Sequence, residues 1–98
     1  MKVIFSRLAK QELDDATRYY EIQYRGLGKC FRKEVRMAAK RISKYPEAWS
    51  VNRGDVRKCL LHKFPYKLLY SIESDYIFVI AVAHQHRRPD YWIGRNET

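Results

Sequence analysis

The sequence predicts an α+β domain: a short first strand, then an antiparallel helical hairpin packed on one face of a small antiparallel sheet. Three observations carry this. Apolar residues recur at helical spacing twice in succession, at Ala9, Leu13, Ala16, Tyr20 and Tyr24, then at Leu27, Phe31, Val35, Ala38, Ile42 and Tyr45. Only "RGLGK" (25–29) separates the two stretches, a link short enough to force an antiparallel turn. From residue 56 onward the pattern changes to β-rich runs joined by a tight turn. With 98 residues, 46% of them hydrophobic, the chain supports one domain, 1–98, with one modest core.

Each element has a local reason. "KVIF" (2–5) is β-prone, and Ser6 behind it is a good helix N-cap. Glu12, Asp14 and Asp15 lie toward the start of the first helix, where the helix dipole is expected to favour anions. The two glycines of "RGLGK" suit a helix end followed at once by a new helix. They do not make a phosphate loop, because no strand precedes them and no GxxxxGK[ST] is present. Pro46 stops the second helix. Helices are therefore expected over 7–24 and 28–45, facing the sheet through Leu13, Ala16, Phe31, Val35 and Ile42.

"PEAWSVNRGD" reads as a loop, and strands are expected over 56–64, 66–73 and 76–84. "ESDY" joins the last two as a hairpin. The strand at 66–73 alternates, with Tyr66, Leu68, Tyr70 and Ile72 on one side and Lys67, Leu69, Ser71 and Glu73 on the other. "YIFVIAVA" does not alternate. A strand wet on one face should alternate, so this one is expected to be covered on both. The hairpin covers one face. The chain's own "YWI" tail or a bound partner must cover the other.

The longest apolar stretch, 77–83, is far short of the roughly 20 residues a membrane span needs. "MKVIFSR" lacks the apolar region of a secretion signal, so a cytoplasmic protein is expected. Cys30 and Cys59 form no CxxC and are expected to be reduced, half-buried thiols. The net charge of +9 is concentrated in residues 29–63, where eleven Lys/Arg face three Asp/Glu, a net +8. Lys29, Arg32, Lys33, Arg36, Lys40, Arg41 and Lys44 occupy the outer face of the second helix, with Glu34 the only acid among them. Such a face is either simply solvated or a surface for an acidic partner, with Arg32, Arg36 and Lys40 as its candidates.

The second concentration of chemistry follows the last strand: His84, His86, Arg87, Arg88 and Tyr91, with Lys67 and Tyr70 on the neighbouring strand. Cations plus His or Tyr, without carboxylates, suit a phosphodiester: cations stabilise the pentacoordinate phosphorane and His or Tyr moves protons, with no metal needed. The plainer reading makes Arg87 and Arg88 solvated charges, Tyr91 and Trp92 a plug on the open sheet face, and His84 a hydrogen-bonded core histidine. His84-x-His86 offers two imidazoles where a metal site needs three or four ligands. No metal or cofactor is expected.

Four stretches in register, "AKQELDDATRYYE", "GLGKCFRKEVRMAAKRISKYPEAW", "VRKCLLHKFPYKLLYSIE" and "IFVIAVAHQHRRPDYWIGR", resemble toxins of the RelE/ParE superfamily, most closely its ParE-type plasmid stabilisation branch. The most specific parts are "FPY" (64–66) and the "AVAH…R.P.YW..R" ending. The resemblance covers nearly the whole chain. It implies the toxin half of a type II toxin–antitoxin module, in a hetero-oligomer with a cognate antitoxin whose C-terminal segment folds on the toxin. Arg32, Arg36, Lys40, Tyr70, Arg88 and Trp92 are then candidate partner contacts. ParE-type toxins are expected to act on DNA gyrase as inhibitors, and RelE-type toxins as metal-independent endoribonucleases on ribosome-bound mRNA. In the RNase branch Lys67, His86, Arg87 and Tyr91 would be the catalytic set. That branch usually has arginine where Lys67 stands, and Lys67 lacks the planar bidentate fork. His86, Arg87 and Tyr91 fill the remaining places only loosely, as do Arg57, Lys58 and Lys63, so the departures favour ParE.

Overall fold

The structure, a computed structural model, describes residues 1–95. Its elements are β1 (Lys2–Phe5), α1 (Arg7–Gln23), α2 (Leu27–Lys44), β2 (Val51–Arg53), β3 (Val56–Leu60), β4 (Tyr66–Ile72) and β5 (Tyr76–His84). One five-stranded sheet runs in the order β1-β5-β4-β3-β2. The hairpin of β4 and β5 is antiparallel as expected, whereas β1 pairs with β5 in parallel, so the sheet is mixed. A first strand that enters a helical hairpin directly can return to the sheet edge in either sense, and no residue pattern in "KVIF" distinguishes them.

Ser6 caps α1: its Oγ accepts from Ala9 N–H at 3.0 Å. No acid lies in the first turn of α1, so the expected role of Glu12, Asp14 and Asp15 at the dipole is not realised; that effect fades beyond the first turn. Between the helices Gly26 adopts φ +88°, a left-handed conformation that favours glycine. Gly28 lets the helices approach: a Cβ there would stand 2.7 Å from the Thr17 carbonyl oxygen. The Glu21 carboxylate receives the N–H groups of Gly26 and Gly28 and thereby closes the start of α2. Within the expected loop, β2 forms a short antiparallel pair with β3 around Gly54, whose φ of +58° the turn requires.

The main core lies between the hairpin and one sheet face, and contains Ala16, Phe31, Val35 and Ile42 with Leu68, Tyr70, Ile77, Val79 and Val82, Leu13 packing at its margin. A second cluster on the opposite face holds Val56, Leu69, Phe78, Ile80, Ala81 and Trp92. The chain's own tail supplies the cover that "YIFVIAVA" demanded. Register adds a second cause of its broken alternation. Leu69 pairs with Ala81 and Tyr70 with Val79, leaving Ile80 as an extra residue in β5. At this bulge Ile80 and Ala81 turn to the same face.

Candidate functional site at the end of the sheet

Residues 85–95 fold back over the second sheet face through consecutive turns, Arg87 N–H donating to His84, Tyr91 to Arg88, Ile93 to Asp90 and Arg95 to Trp92. Asp90 sits at φ +67°, uncommon for a non-glycine residue, and its carboxylate pairs with Arg53 Nη1 at 2.7 Å. Trp92, 9% exposed, reaches the second cluster. Of the two roles expected for Trp92 the structure places it in the plug, and it offers an incoming partner little surface. A buried indole of ~200 Å² at ~25 cal/mol/Å² is worth at most about 5 kcal/mol, so this segment is a structural part of the domain.

What ties the segment down is Glu12 of α1. Its carboxylate accepts Tyr91 O–H at 2.7 Å, Arg95 Nη1 and Nη2 at 3.0 and 2.9 Å, and the Val82 backbone N–H at 3.0 Å. Arg95 Nη1 also reaches the Ile80 carbonyl at 3.3 Å, and Ser6 Oγ donates to the same oxygen at 3.2 Å. The carbonyl at the bulge thus receives side-chain donors. Arg87 and Arg95 stack on the Tyr91 ring at 4.0 and 4.8 Å. Burial, then the hydrogen bond to Glu12 and its negative charge, push the Tyr91 phenol well above its ordinary range; the bond to Glu12 raises Arg95. A phenol that keeps its proton and donates a hydrogen bond to a carboxylate is poorly placed to act as a base.

Beside this strap lies a groove of about 260 Å³ lined by Lys67, Arg87, Arg88, Tyr91 and Trp92, together with Asn52, Gln85 and Asp90. Three cations line it, none with a carboxylate within ion-pair range among the described residues. Its one acid, Asp90, is engaged by Arg53. The groove suits an anionic surface. Of the expected catalytic set, Lys67, Arg87 and Tyr91 converge here, whereas His86 is outside it: His86 N–H donates to His84 Nδ1 at 3.0 Å and its side chain is exposed. His84 packs edge-on against Tyr66 at 5.2 Å. No group of three metal-ligating residues occurs among the described residues. Tyr70 does not reach the groove. It is wholly buried on the opposite face, its hydroxyl donating to the Pro46 carbonyl at 2.6 Å and burial pushing its phenol up to about 12. Lys67 and Tyr70 are three apart on one strand and so point to opposite faces, which removes Tyr70 from the candidate partner contacts.

The basic outer face of α2 is present, with two corrections. Arg32 turns toward α1 and is paired with Asp14, leaving Arg36 and Lys40 exposed and unpaired among the described residues. Glu34 is buried and its carboxylate accepts His62 N–H at 3.3 Å. Neither cysteine is half-buried: Cys30 is exposed and Cys59 buried, burial raising the Cys59 thiol while the Arg41 charge beside it pulls the other way. No described helix is long and apolar enough to cross a membrane.

Residues 3–89 match the family model described as the ParE toxin of the type II toxin–antitoxin system parDE. The chain belongs to the ParE toxin family. A solved structure described as the chromosomal ParDE TA system from P. aeruginosa is similar at 16% identity and a TM-score of 0.71, covering 86% of this chain and 95% of that one. At that identity the likeness speaks for the fold, two helices on one face of a mixed sheet. No curated protein matches the chain. The ParE family model ends at residue 89, so Tyr91, Trp92 and Arg95, which close the sheet, lie beyond it.

Proposed function

We propose that this ParE-family chain inhibits DNA gyrase in the cytoplasm and is held inactive in a hetero-oligomer by a cognate antitoxin. The observation that carries the reading is the family match over residues 3–89. The site's chemistry supports inhibition by binding: Tyr91 donates to Glu12, and His86 stands apart from Lys67 and Arg87. In this reading Lys67, Arg87 and Arg88 form the surface that meets the target. Arg36 and Lys40 on α2 meet an acidic antitoxin segment, a pairing whose strength falls with salt.

Two reactions with purified protein test this: supercoiling by gyrase, and translation of a defined message with cleavage mapped by primer extension. Supercoiling is expected to be inhibited while messages stay intact. Lys67→Ala is expected to cost only about 1 kcal/mol, as at an interface rim. Removing a transition-state donor would instead cost on the order of a hundredfold in rate. Codon-specific cuts lost in Tyr91→Phe would overturn the proposal. Arg36→Glu with Lys40→Glu is expected to weaken the antitoxin complex, more at low salt than at high.

A further inference from the structure

We propose that the cleft at the C-terminal end of α2 binds single-stranded nucleic acid, stacking a base on its aromatic side chains and holding phosphates on its cations. Lys40, Arg41, Ser43, Lys44, Tyr45 and Trp49 line a space of about 630 Å³. It lies outside the groove of Lys67, Arg87 and Arg88, and it goes beyond the proposed action on gyrase. Tyr45 is 63% exposed, far more than a phenol ring with a packing role needs. Trp49 rests on the main core at one side and borders the cleft at the other. Its backbone is fixed, because Arg57 Nη1 donates to the Trp49 carbonyl at 2.7 Å and Tyr70 O–H to that of Pro46. The cleft is therefore held in place.

Lys40 and Lys44 are exposed, and the half-buried Arg41, its charge beside Cys59, borders the cleft. Arg41 and Lys44 stand in the last turn of α2, where they offset the helix dipole in part, yet no carboxylate pairs with Lys40, Arg41 or Lys44 among the described residues. Glu47, the one acid of the adjoining loop, is exposed and does not line the cleft. Arg41 supplies an independent observation: its Nη2 is the one buried side-chain polar atom among the described residues without a hydrogen-bond partner. Turning that guanidinium toward an anion in the cleft satisfies an orphaned donor. From the cleft, exposed Lys40, Arg36 and Lys33 continue along α2 at helical spacing, so Lys33 to Lys44 spans roughly 17 Å at 1.5 Å per residue. A nucleotide carries a flat apolar base and an anionic phosphate in every unit, matching both halves of this surface. Acidic side chains alone would leave the aromatic half unfilled.

The experiment is fluorescence anisotropy of a labelled oligothymidylate of about ten nucleotides with the purified full chain at low salt. Binding is expected, with quenching of Trp49, since Trp92 is buried. Tyr45→Ala is expected to weaken it about tenfold, and Lys44→Glu to weaken it and flatten its salt dependence. Arg87→Ala with Arg88→Ala is expected to leave it unchanged. The proposal is overturned if no binding occurs, or if loss follows Arg87 and Arg88 and not Tyr45. It is also overturned if a base-free polyphosphate competes as well as the oligonucleotide. Should Tyr45→Ala fail to fold, Trp49 quenching in the unmodified chain still decides between base stacking and plain charge attraction. Gyrase enters neither readout, so failure here leaves the proposed function standing.

Discussion

Replacing Glu12 by alanine should loosen the whole C-terminal strap, and the size of the effect follows from its hydrogen bonds. The carboxylate receives four: two from Arg95, one from Tyr91 and one from the Val82 backbone. A charge-assisted bond contributes about 1.5–3 kcal/mol, and an orphaned buried N–H costs about 1–3 kcal/mol. Both side chains of the ion pair are 16% exposed, so some water reaches them and the lower ends of these ranges apply. Arg95 also keeps its contact with the Ile80 carbonyl and the Tyr91 ring. The expected loss is about 3–4 kcal/mol, a large share of the ~5–15 kcal/mol that holds a domain together. Glu12→Gln keeps one acceptor for Val82 or Arg95 and should lose roughly half as much. Urea unfolding read by Trp fluorescence and by far-UV dichroism measures both. Trp92 emission should shift at lower urea than helix is lost, because the strap detaches first. A double-mutant cycle with Arg95→Ala should give a coupling of about 1–3 kcal/mol. A Glu12→Ala change within ~0.5 kcal/mol of the parent chain, the range of an ordinary surface substitution, would refute the reasoning.

Two further outcomes follow from the packing. The phenols of Tyr70, near 12, and Tyr91, higher still, lie above the ordinary value, so the folded chain holds these protons more tightly than the unfolded one. Their stabilisation is complete below about pH 10 and is lost as pH rises toward the folded-state values; Tyr91→Phe should shallow that alkaline decline in a denaturation series, and an unchanged slope would contradict the burial argument. Gly28→Ala forces a methyl to 2.7 Å from the Thr17 carbonyl and should cost about 1–3 kcal/mol in chemical denaturation, since backbone cannot yield as a side chain can; a neutral result would mean that the hairpin can open there.

Much of this fold was legible because its elements announce themselves locally. Spacings of three and four set both helices to within a residue or so of their observed limits, and Ser6, Gly26 and Pro46 mark their ends. The hairpin of β4 and β5 followed from one tight turn. What could not be read were relations between distant residues. The parallel pairing of β1 leaves no trace in four β-prone residues, and Arg32 turning to Asp14 depends on how two helices cross. Tyr70 is a different case: strand periodicity alone puts it on the opposite face from Lys67, so nearness in sequence does not make nearness in space.

Glu12 shows where local reading stops. On a helix, an acid in the second turn looks like one more solvated charge, and nothing beside it points to a partner 79 or 83 residues away. The signal was instead in β5. A run too apolar to alternate implied a covered second face, and covering it with eleven polar-rich residues requires an anchor that residues 85–95 lack among themselves. Their cations are Arg87, Arg88 and Arg95, and their one acid, Asp90, is taken by Arg53. An arginine buried against the sheet therefore needs a carboxylate from elsewhere. The Ile80 carbonyl at the bulge takes donors from Ser6 and Arg95, and the Val82 N–H two residues on needs an acceptor, which α1 supplies from Glu12. The acid on α1 that accepts from both the Val82 N–H and the tail is Glu12, which makes this residue the link between the sheet's closed face and the edge of the cationic groove.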